Sequence, residues 1–84
     1  MKNILTVTKD TVTGMQKTDI QQFVNDQDAI RSWGNAIREM SKNPNNNMPL
    51  EDLQLFAIAI FDTETFEIVP RSDFLANANE FIGK

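Results

Sequence analysis

The chain has 84 residues and a net charge of −4, with 40% hydrophobic and 24% charged residues, values typical of a globular domain. It contains no cysteine and no histidine, which excludes disulfides, thiolate chemistry and the commonest general base and metal ligand. The acidic balance argues against nucleic-acid binding by bulk charge, although a few well-placed cations suffice for phosphate contacts. We expect a single domain over residues 1–84, too small to bury a large core without a partner subunit.

The first quarter of the chain predicts extended structure. Residues 3–9 are rich in β-branched types and predict a strand, and residues 10–14 predict a turn in which Gly14 takes a positive φ. Residues 18–24 predict a short edge strand or an extended segment. No internal repeat is visible in the sequence.

A helix is the clearest prediction. Asn25 or Asp26 supplies an N-cap, and the helix should end near Lys42 because Asn43-Pro44 disfavours its continuation. Gly34 lies inside this helix, where we expect it to allow close approach of the backbone to the sheet. The apolar residues that recur at helical spacing are Ile30, Trp33, Ile37 and Met40.

Residues 53–69 predict a β-hairpin whose first strand is apolar on both faces. The turn falls at residues 62–65 and the second strand at residues 66–69. The small side chains of Ala57 and Ala59 leave room for the helix on one face. The bulkier side chains on the other face belong to Phe56, Ile58 and Ile60.

After the hairpin, Pro70 and Ser72 predict an end to the strand. Phe74, Leu75, Phe81 and Ile82 form an apolar tail around residues 77–80, and we expect a short terminal helix there. The predicted fold is therefore α+β: an antiparallel sheet of three or four strands, one principal helix and a short C-terminal helix, in the order β(β)αββ(α).

The second apolar face of the hairpin strand requires a cover. Closed two-fold symmetry is the commonest way to bury such a face, so we expect a homodimer. The alternative is that the chain's own tail folds over this face. The residues predicted at the dimer interface are Phe56, Ile58, Ile60, Phe74 and Phe81.

For catalysis the sequence offers little. Its acidic pairs lie where a helix begins, before a strand and in a turn, positions at which carboxylates are common for local structural reasons. We therefore expect no enzyme, no metal, no cofactor and no small-molecule substrate. No segment is long and apolar enough for a signal peptide or a membrane span, which predicts a protein that stays in the cytoplasm and avoids membranes.

For nucleic acid, the candidate contacts are cations spread along the chain together with the aromatic residues. Trp33 belongs to the apolar helix stripe and is expected in the core rather than stacked on a base. The candidate phosphate-binding residues are Lys9, Lys17, Arg31, Arg38 and Lys42.

The sequence also resembles the small nonstructural protein of gokushovirus-type members of the Microviridae, the single-stranded DNA phages. The residues that carry this resemblance are Asp10, Gly14, Ala29, Arg31, Trp33, Pro49, Asp52, Leu53, Leu55, Phe56, Phe61, Asp62, Thr65, Leu75, Ala76 and residues 78–81. The sequence departs from the family pattern in three ways: Ala59 and Phe66 stand where its members have glycine, and the family's usual N-terminal tyrosines are absent. The resemblance implies a protein that is absent from the virion and acts in viral DNA replication in the host cytoplasm.

Two functions remain open at this point. In the first, the protein binds single-stranded DNA or the replication machinery, and its cations should then gather on one face. In the second, it is an acidic module that inhibits or redirects a host factor without touching DNA. A continuous acidic face from Glu51, Asp62, Glu64 and Glu67 would favour that function.

Overall fold

The computed structural model describes residues 1–14, 16, 19–46 and 49–82, which form a four-stranded antiparallel sheet with one helix on one face. The sheet order is β2-β1-β3-β4. This confirms the predicted α+β fold, with four strands and one helix. The elements are β1 (Lys2–Asp10), β2 (Gln21–Phe23), α1 (Asp26–Lys42), β3 (Leu53–Asp62) and β4 (Ile68–Asn77), with 3₁₀ turns at Leu50–Asp52 and Ala78–Glu80.

Helix α1 has the limits that the sequence predicts. The side chain of Asn25 caps it by accepting a hydrogen bond from the backbone N–H of Asp28 at 2.8 Å. Asp28 and Asp26 place negative charge in the first turn, where the helix dipole favours it. The helix ends at Lys42, and no helix in the described residues is long and apolar enough to cross a membrane.

The core lies between α1 and the sheet, and Trp33 is at its centre. Trp33 is only 6% exposed, and its indole Nε1 donates to the hydroxyl of Thr8 on β1 at 2.9 Å. The prediction that this residue is structural is confirmed. The other buried residues of this core are Ile4, Ala29, Ile37, Leu50, Leu53, Leu55, Ala76 and Ala78.

Strand β4 is longer than predicted, because the chain continues in the sheet through Pro70. In the pairing register Pro70 lies opposite Ala59, and the strand runs on to Asn77. A proline is tolerated there because β4 is an edge strand, where one row of N–H groups needs no partner. The predicted end at residue 69 was therefore wrong. The expected C-terminal helix is reduced to the 3₁₀ turn at Ala78–Glu80.

A β-bulge in β3 changes which side chains share a face. In the pairing with β1, Thr6 lies opposite Ala57 but Leu5 lies opposite Ala59, so Ile58 is an extra residue. Side-chain alternation therefore shifts at Ile58. We predicted that Ala57 and Ala59 face the helix together; only Ala57 does. Ile60, opposite the buried Ile4, lies on the helix side rather than beside Phe56.

Three of the four large apolar side chains of the C-terminal tail pack on the helix side of the sheet. Leu75, Phe81 and Ile82 contact the core there, and the ring of Phe81 lies edge-on to Trp33 with centroids 6.1 Å apart. A β-carbon added to Gly34 would lie 2.5 Å from Phe81 Cε1. We expected Gly34 to admit the sheet; its close neighbour is instead this aromatic ring.

Arg71 joins β4 to the start of the helix. Its guanidinium donates to both carboxylate oxygens of Asp26 at 2.9 and 3.0 Å, and its Nε donates to Asp73 at 2.7 Å. The hydrogen bonds from Arg71 lower the pKa of the Asp26 carboxyl below its usual value. This contact fixes the edge strand against the first turn of α1.

The loop after β1, residues 10–14, is an aspartate-centred turn. One carboxylate oxygen of Asp10 accepts from the backbone N–H groups of Val12 and Thr13, at 2.8 and 3.3 Å. The N–H of Gly14 donates to the carbonyl of Asp10 at 2.7 Å, and Gly14 has a φ of +74°. The predicted positive φ of Gly14 is confirmed.

The turn between β3 and β4, residues 62–66, has the same hydrogen-bond pattern. Asp62 accepts from the N–H groups of Glu64 and Thr65 at 2.9 and 3.3 Å. The N–H of Phe66 donates to the Asp62 carbonyl at 2.8 Å, and Phe66 has a φ of +65°. The sequences Asp-Thr-Val-Thr-Gly and Asp-Thr-Glu-Thr-Phe form a short repeat, so the expectation that the chain has no internal repeat was wrong.

Candidate nucleic-acid interface

The predicted phosphate-binding residues fall on two layers of the molecule. Lys9 lies on the sheet face that α1 does not cover, because its neighbours Thr8 and Asp10 are buried on the other side. Arg31, Arg38 and Lys42 recur at spacings of seven and four on the outer side of α1. These cations do not gather on one face, and Lys17 lies outside the described residues.

On the helix, two of these cations have local partners. Arg31 donates to Asp28 at 3.0 Å in an exposed ion pair, which contributes little to stability. Arg38 donates to Asn35 at 2.8 Å and lies 5.1 Å from the centroid of the Phe81 ring. These are the ordinary contacts of a solvent-facing helix stripe.

The uncovered side of the sheet, which we call the open face, is defined by the pairing register. Residues opposite each other in neighbouring antiparallel strands share a face, so each set of partners forms a row across the sheet. The rows, from one end to the other, are Lys9–Gln54–Asn77, Val7–Phe56–Phe74, Gln22–Leu5–Ala59–Pro70 and Asn3–Phe61–Ile68.

Aromatic side chains occupy the second row. Phe56 and Phe74 meet edge to face, with ring centroids 5.9 Å apart and an interplanar angle of 64°. Phe74 is 52% exposed, and the ammonium of Lys9 lies 5.9 Å from the centroid of the Phe56 ring. A cation and two aromatic rings therefore stand side by side on this face.

The open face also differs in charge from the rest of this acidic protein. Three strand carboxylates, Asp10, Asp62 and Asp73, lie on the helix side, opposite Leu53, Lys2 and Ala57. Among the rows defined above, Lys9 is the only charged residue. The remaining polar groups are amides, and one of them, Asn3 Oδ1, is buried without a hydrogen-bond donor.

The residues predicted at a dimer interface are divided by the sheet. Phe56 and Phe74 are neighbours on the open face, whereas Ile60 and Phe81 lie on the helix side and Ile58 is the bulge residue. Of the tail, Leu75, Phe81 and Ile82 contact the helix-side core, whereas Phe74 lies on the open face beside Phe56. A dimer through this face would use Phe56 and Phe74 together with Val7.

A groove of about 570 Å³ lies between α1 and the edge strand β2, lined by apolar side chains such as Phe23, Trp33 and Met40. Within the described ranges, no group of three or more aspartate or glutamate side chains is placed to hold a metal ion.

The comparisons with known proteins give one match. The family described as Phage ORF5 protein matches residues 3–81, almost the whole chain. No curated protein and no solved structure matches the chain.

Proposed function

Since the chain belongs to the Phage ORF5 protein family, we propose that it acts in phage DNA replication by binding single-stranded DNA on the open face, without catalysis. One observation carries this proposal: an acidic protein has a sheet face that combines two aromatic rings, several amides and Lys9 with no strand carboxylate. Unpaired bases stack on aromatic side chains, and such stacking tolerates any sequence.

The rows suggest a role for each group. Phe56 and Phe74 would stack bases, each worth about 1–3 kcal/mol per base. The amides of Gln54 and Asn77 adjoin this pair and can donate to base edges or phosphates. Lys9 would contact one phosphate, so we expect a shallow salt dependence, with a slope of roughly −0.7.

Neither of the two charge patterns considered from the sequence is present among the described residues: the cations do not gather on one face, and the acidic residues do not form one continuous face. Lys9 is separated from the helix cations by the thickness of the domain, so one strand of DNA cannot lie flat across both sets. The acidic residues are also divided: Glu51 lies just before β3 begins, and Asp62 lies where β3 ends. The local composition of the open face therefore supports DNA binding better than the global charge does.

The resemblance to gokushovirus-type proteins extends this proposal. We place the activity in the synthesis of single-stranded phage genomes in the bacterial cytoplasm, where the protein works without a metal, a cofactor or a small-molecule substrate. Proteins of the replication machinery are the natural second class of partner for such an activity.

Fluorescence anisotropy with labelled single-stranded and duplex oligonucleotides, titrated with salt, tests the proposal. We expect Phe74→Ala to weaken single-strand binding about tenfold, since stacking is worth about 1–3 kcal/mol per base. Lys9→Gln should weaken binding modestly and flatten the salt dependence, while Lys42→Gln on the opposite layer serves as the matched control. If the wild-type protein does not bind single-stranded oligonucleotides at low salt, the proposal is refuted.

A homodimer through the open face is the second candidate, because the Val7–Phe56–Phe74 row is apolar and Phe74 is 52% exposed. Burying such side chains is worth roughly 1.5–3 kcal/mol each. The dimer and bound DNA would compete for this face. Light scattering should then show dimers at micromolar concentration that Phe74→Glu converts to monomers and that single-stranded DNA dissociates. A wild-type protein that stays monomeric excludes the dimer and leaves the DNA proposal intact.

A further inference from the structure

The two aspartate-centred turns differ at their last position, where one has Gly14 and the other has Phe66. Both residues have a φ in the left-handed region, +74° and +65° respectively. For a residue with a β-carbon this conformation is unfavourable, and bulky residues adopt it rarely. Gly14 avoids that cost, whereas Phe66 carries it.

Burial does not compensate Phe66 for this strain. Its side chain is 73% exposed, and its main aromatic neighbour is Phe61, stacked at an interplanar angle of 27° with centroids 6.3 Å apart. Ile68, opposite Phe61 in the register, is 59% exposed. The end of the hairpin thus presents a continuous apolar surface to solvent, built around a residue whose conformation is unfavourable.

Carboxylates border this surface. Glu64, whose side chain is 81% exposed, and Glu67, also exposed, lie in the loop beside Phe66, and Asp62 closes the turn. The positive groups that face them are the Met1 ammonium, 3.3 Å from Glu64, and Lys2, which lies opposite Asp62. The Met1–Glu64 pair is well exposed and contributes little. A polyanion or an anionic membrane is therefore a poor fit.

We propose that the hairpin tip, formed by Phe61, Phe66 and Ile68 with Glu64 and Glu67 beside them, docks into an apolar pocket of another protein that is bordered by lysine or arginine. The carboxylates of the tip call for lysine or arginine at the border of that pocket, and the exposed rings call for apolar residues at its centre. Aromatic residues are enriched where a few side chains carry most of the energy of an interface.

Phe61 and Ile68 belong to the last row of the open face, but none of the tip residues is among the proposed DNA contacts, and the tip site does not depend on them. Between Gln54 and Phe61, β3 rises by roughly 23 Å, so Lys9 and the hairpin tip lie at opposite ends of the sheet. A protein bound at the tip can hold the chain while DNA occupies the Lys9 end.

Site-specific photocrosslinking in infected cells identifies the partner. Benzoylphenylalanine replaces Phe66 in one variant and Val12 in the control; Val12 lies in the matching turn and is 74% exposed. We expect a dominant crosslink to one protein from position 66 and not from position 12. Mass spectrometry should map it to a peptide with apolar residues and lysine or arginine.

The crosslinked protein is then purified and its affinity for the full chain is measured by calorimetry. We expect Phe66→Gly, which removes the strain, and Glu64→Lys combined with Glu67→Lys each to weaken binding at least tenfold. Val12→Gly should leave the affinity unchanged. Crosslinks to DNA or to a second copy of this chain, equal crosslinking from position 12, or full affinity of the Phe66→Gly variant would each overturn the proposal.

Discussion

The aromatic ring of Phe81 lies against the backbone of Gly34 and fills the space that a β-carbon at position 34 would need. This contact joins the middle of α1 to the C-terminal tail. Phe81 also lies edge-on to Trp33 and beneath the guanidinium of Arg38. The absence of a side chain at position 34 therefore allows the tail to close one side of the core.

We predict that Gly34→Ala destabilises the protein although alanine is the better helix former by about 1 kcal/mol. The added carbon must displace Phe81, and the lost packing outweighs the gain in helix propensity. Urea denaturation of the single variants and of the pair Gly34→Ala with Phe81→Ala measures this coupling. In the Phe81→Ala background the Gly34→Ala substitution should become stabilising; destabilisation in both backgrounds would contradict the mechanism.

Trp33→Ala should lower the free energy of unfolding by about 3–5 kcal/mol, because it leaves a large cavity in the core. Thr8→Val should cost about 1–3 kcal/mol, since the buried Nε1–H of Trp33 loses its acceptor. Thermal melts followed by circular dichroism test both values. A Trp33→Ala variant with the wild-type melting temperature and without DNA binding would make Trp33 a stacking residue instead.

The contact between Asp26 and Arg71 predicts a pH dependence of stability. Because its folded-state pKa lies below the ordinary value of 3.8, Asp26 contributes stability above that pH and loses it as pH falls through the folded-state pKa. Asp26→Asn should therefore lower the melting temperature near neutral pH, and the difference from wild type should shrink below about pH 4. Arg71→Met should show the same convergence, whereas a pH-independent difference would assign the effect to packing.

Substitutions at the last residue of each turn measure the cost of the left-handed conformation there. Phe66→Gly should raise the melting temperature, since removing left-handed strain is worth about 1–2 kcal/mol and only an exposed ring stack is lost. Gly14→Ala should lower stability by a similar amount. If both substitutions change stability in the same direction, the turns are not equivalent.

A large part of the fold follows from local sequence. The Asn25 cap, the apolar stripe that ends near Lys42 and the β-branched residues of β1 are short-range signals, because capping and alternation depend on neighbours in the chain. The turn at Gly14 was predicted for the same reason. The Asp-Thr-x-Thr repeat that precedes Gly14 and Phe66 is likewise a short-range signal in the sequence.

The candidate site was only partly predictable. Lys9 and Phe56 could be chosen by residue type, but no local signal shows that they are neighbours. Their proximity comes from the β1–β3 register, a contact between segments far apart in sequence. The division of the basic residues between the helix and the open face depends on the same long-range packing.

The sequence by itself determined the class of fold, the limits of the helix and the burial of Trp33, because hydrophobic periodicity and capping act over a few residues. Only the tertiary structure decided that β4 continues past Pro70, since an edge strand tolerates a missing N–H and the sequence does not say which strand is at the edge. The bulge at Ile58 moved Ile60 to the helix side, because one extra residue reverses every later side chain. The tail packs on the helix because Gly34 leaves space for Phe81, and this packing leaves the other face of the sheet open.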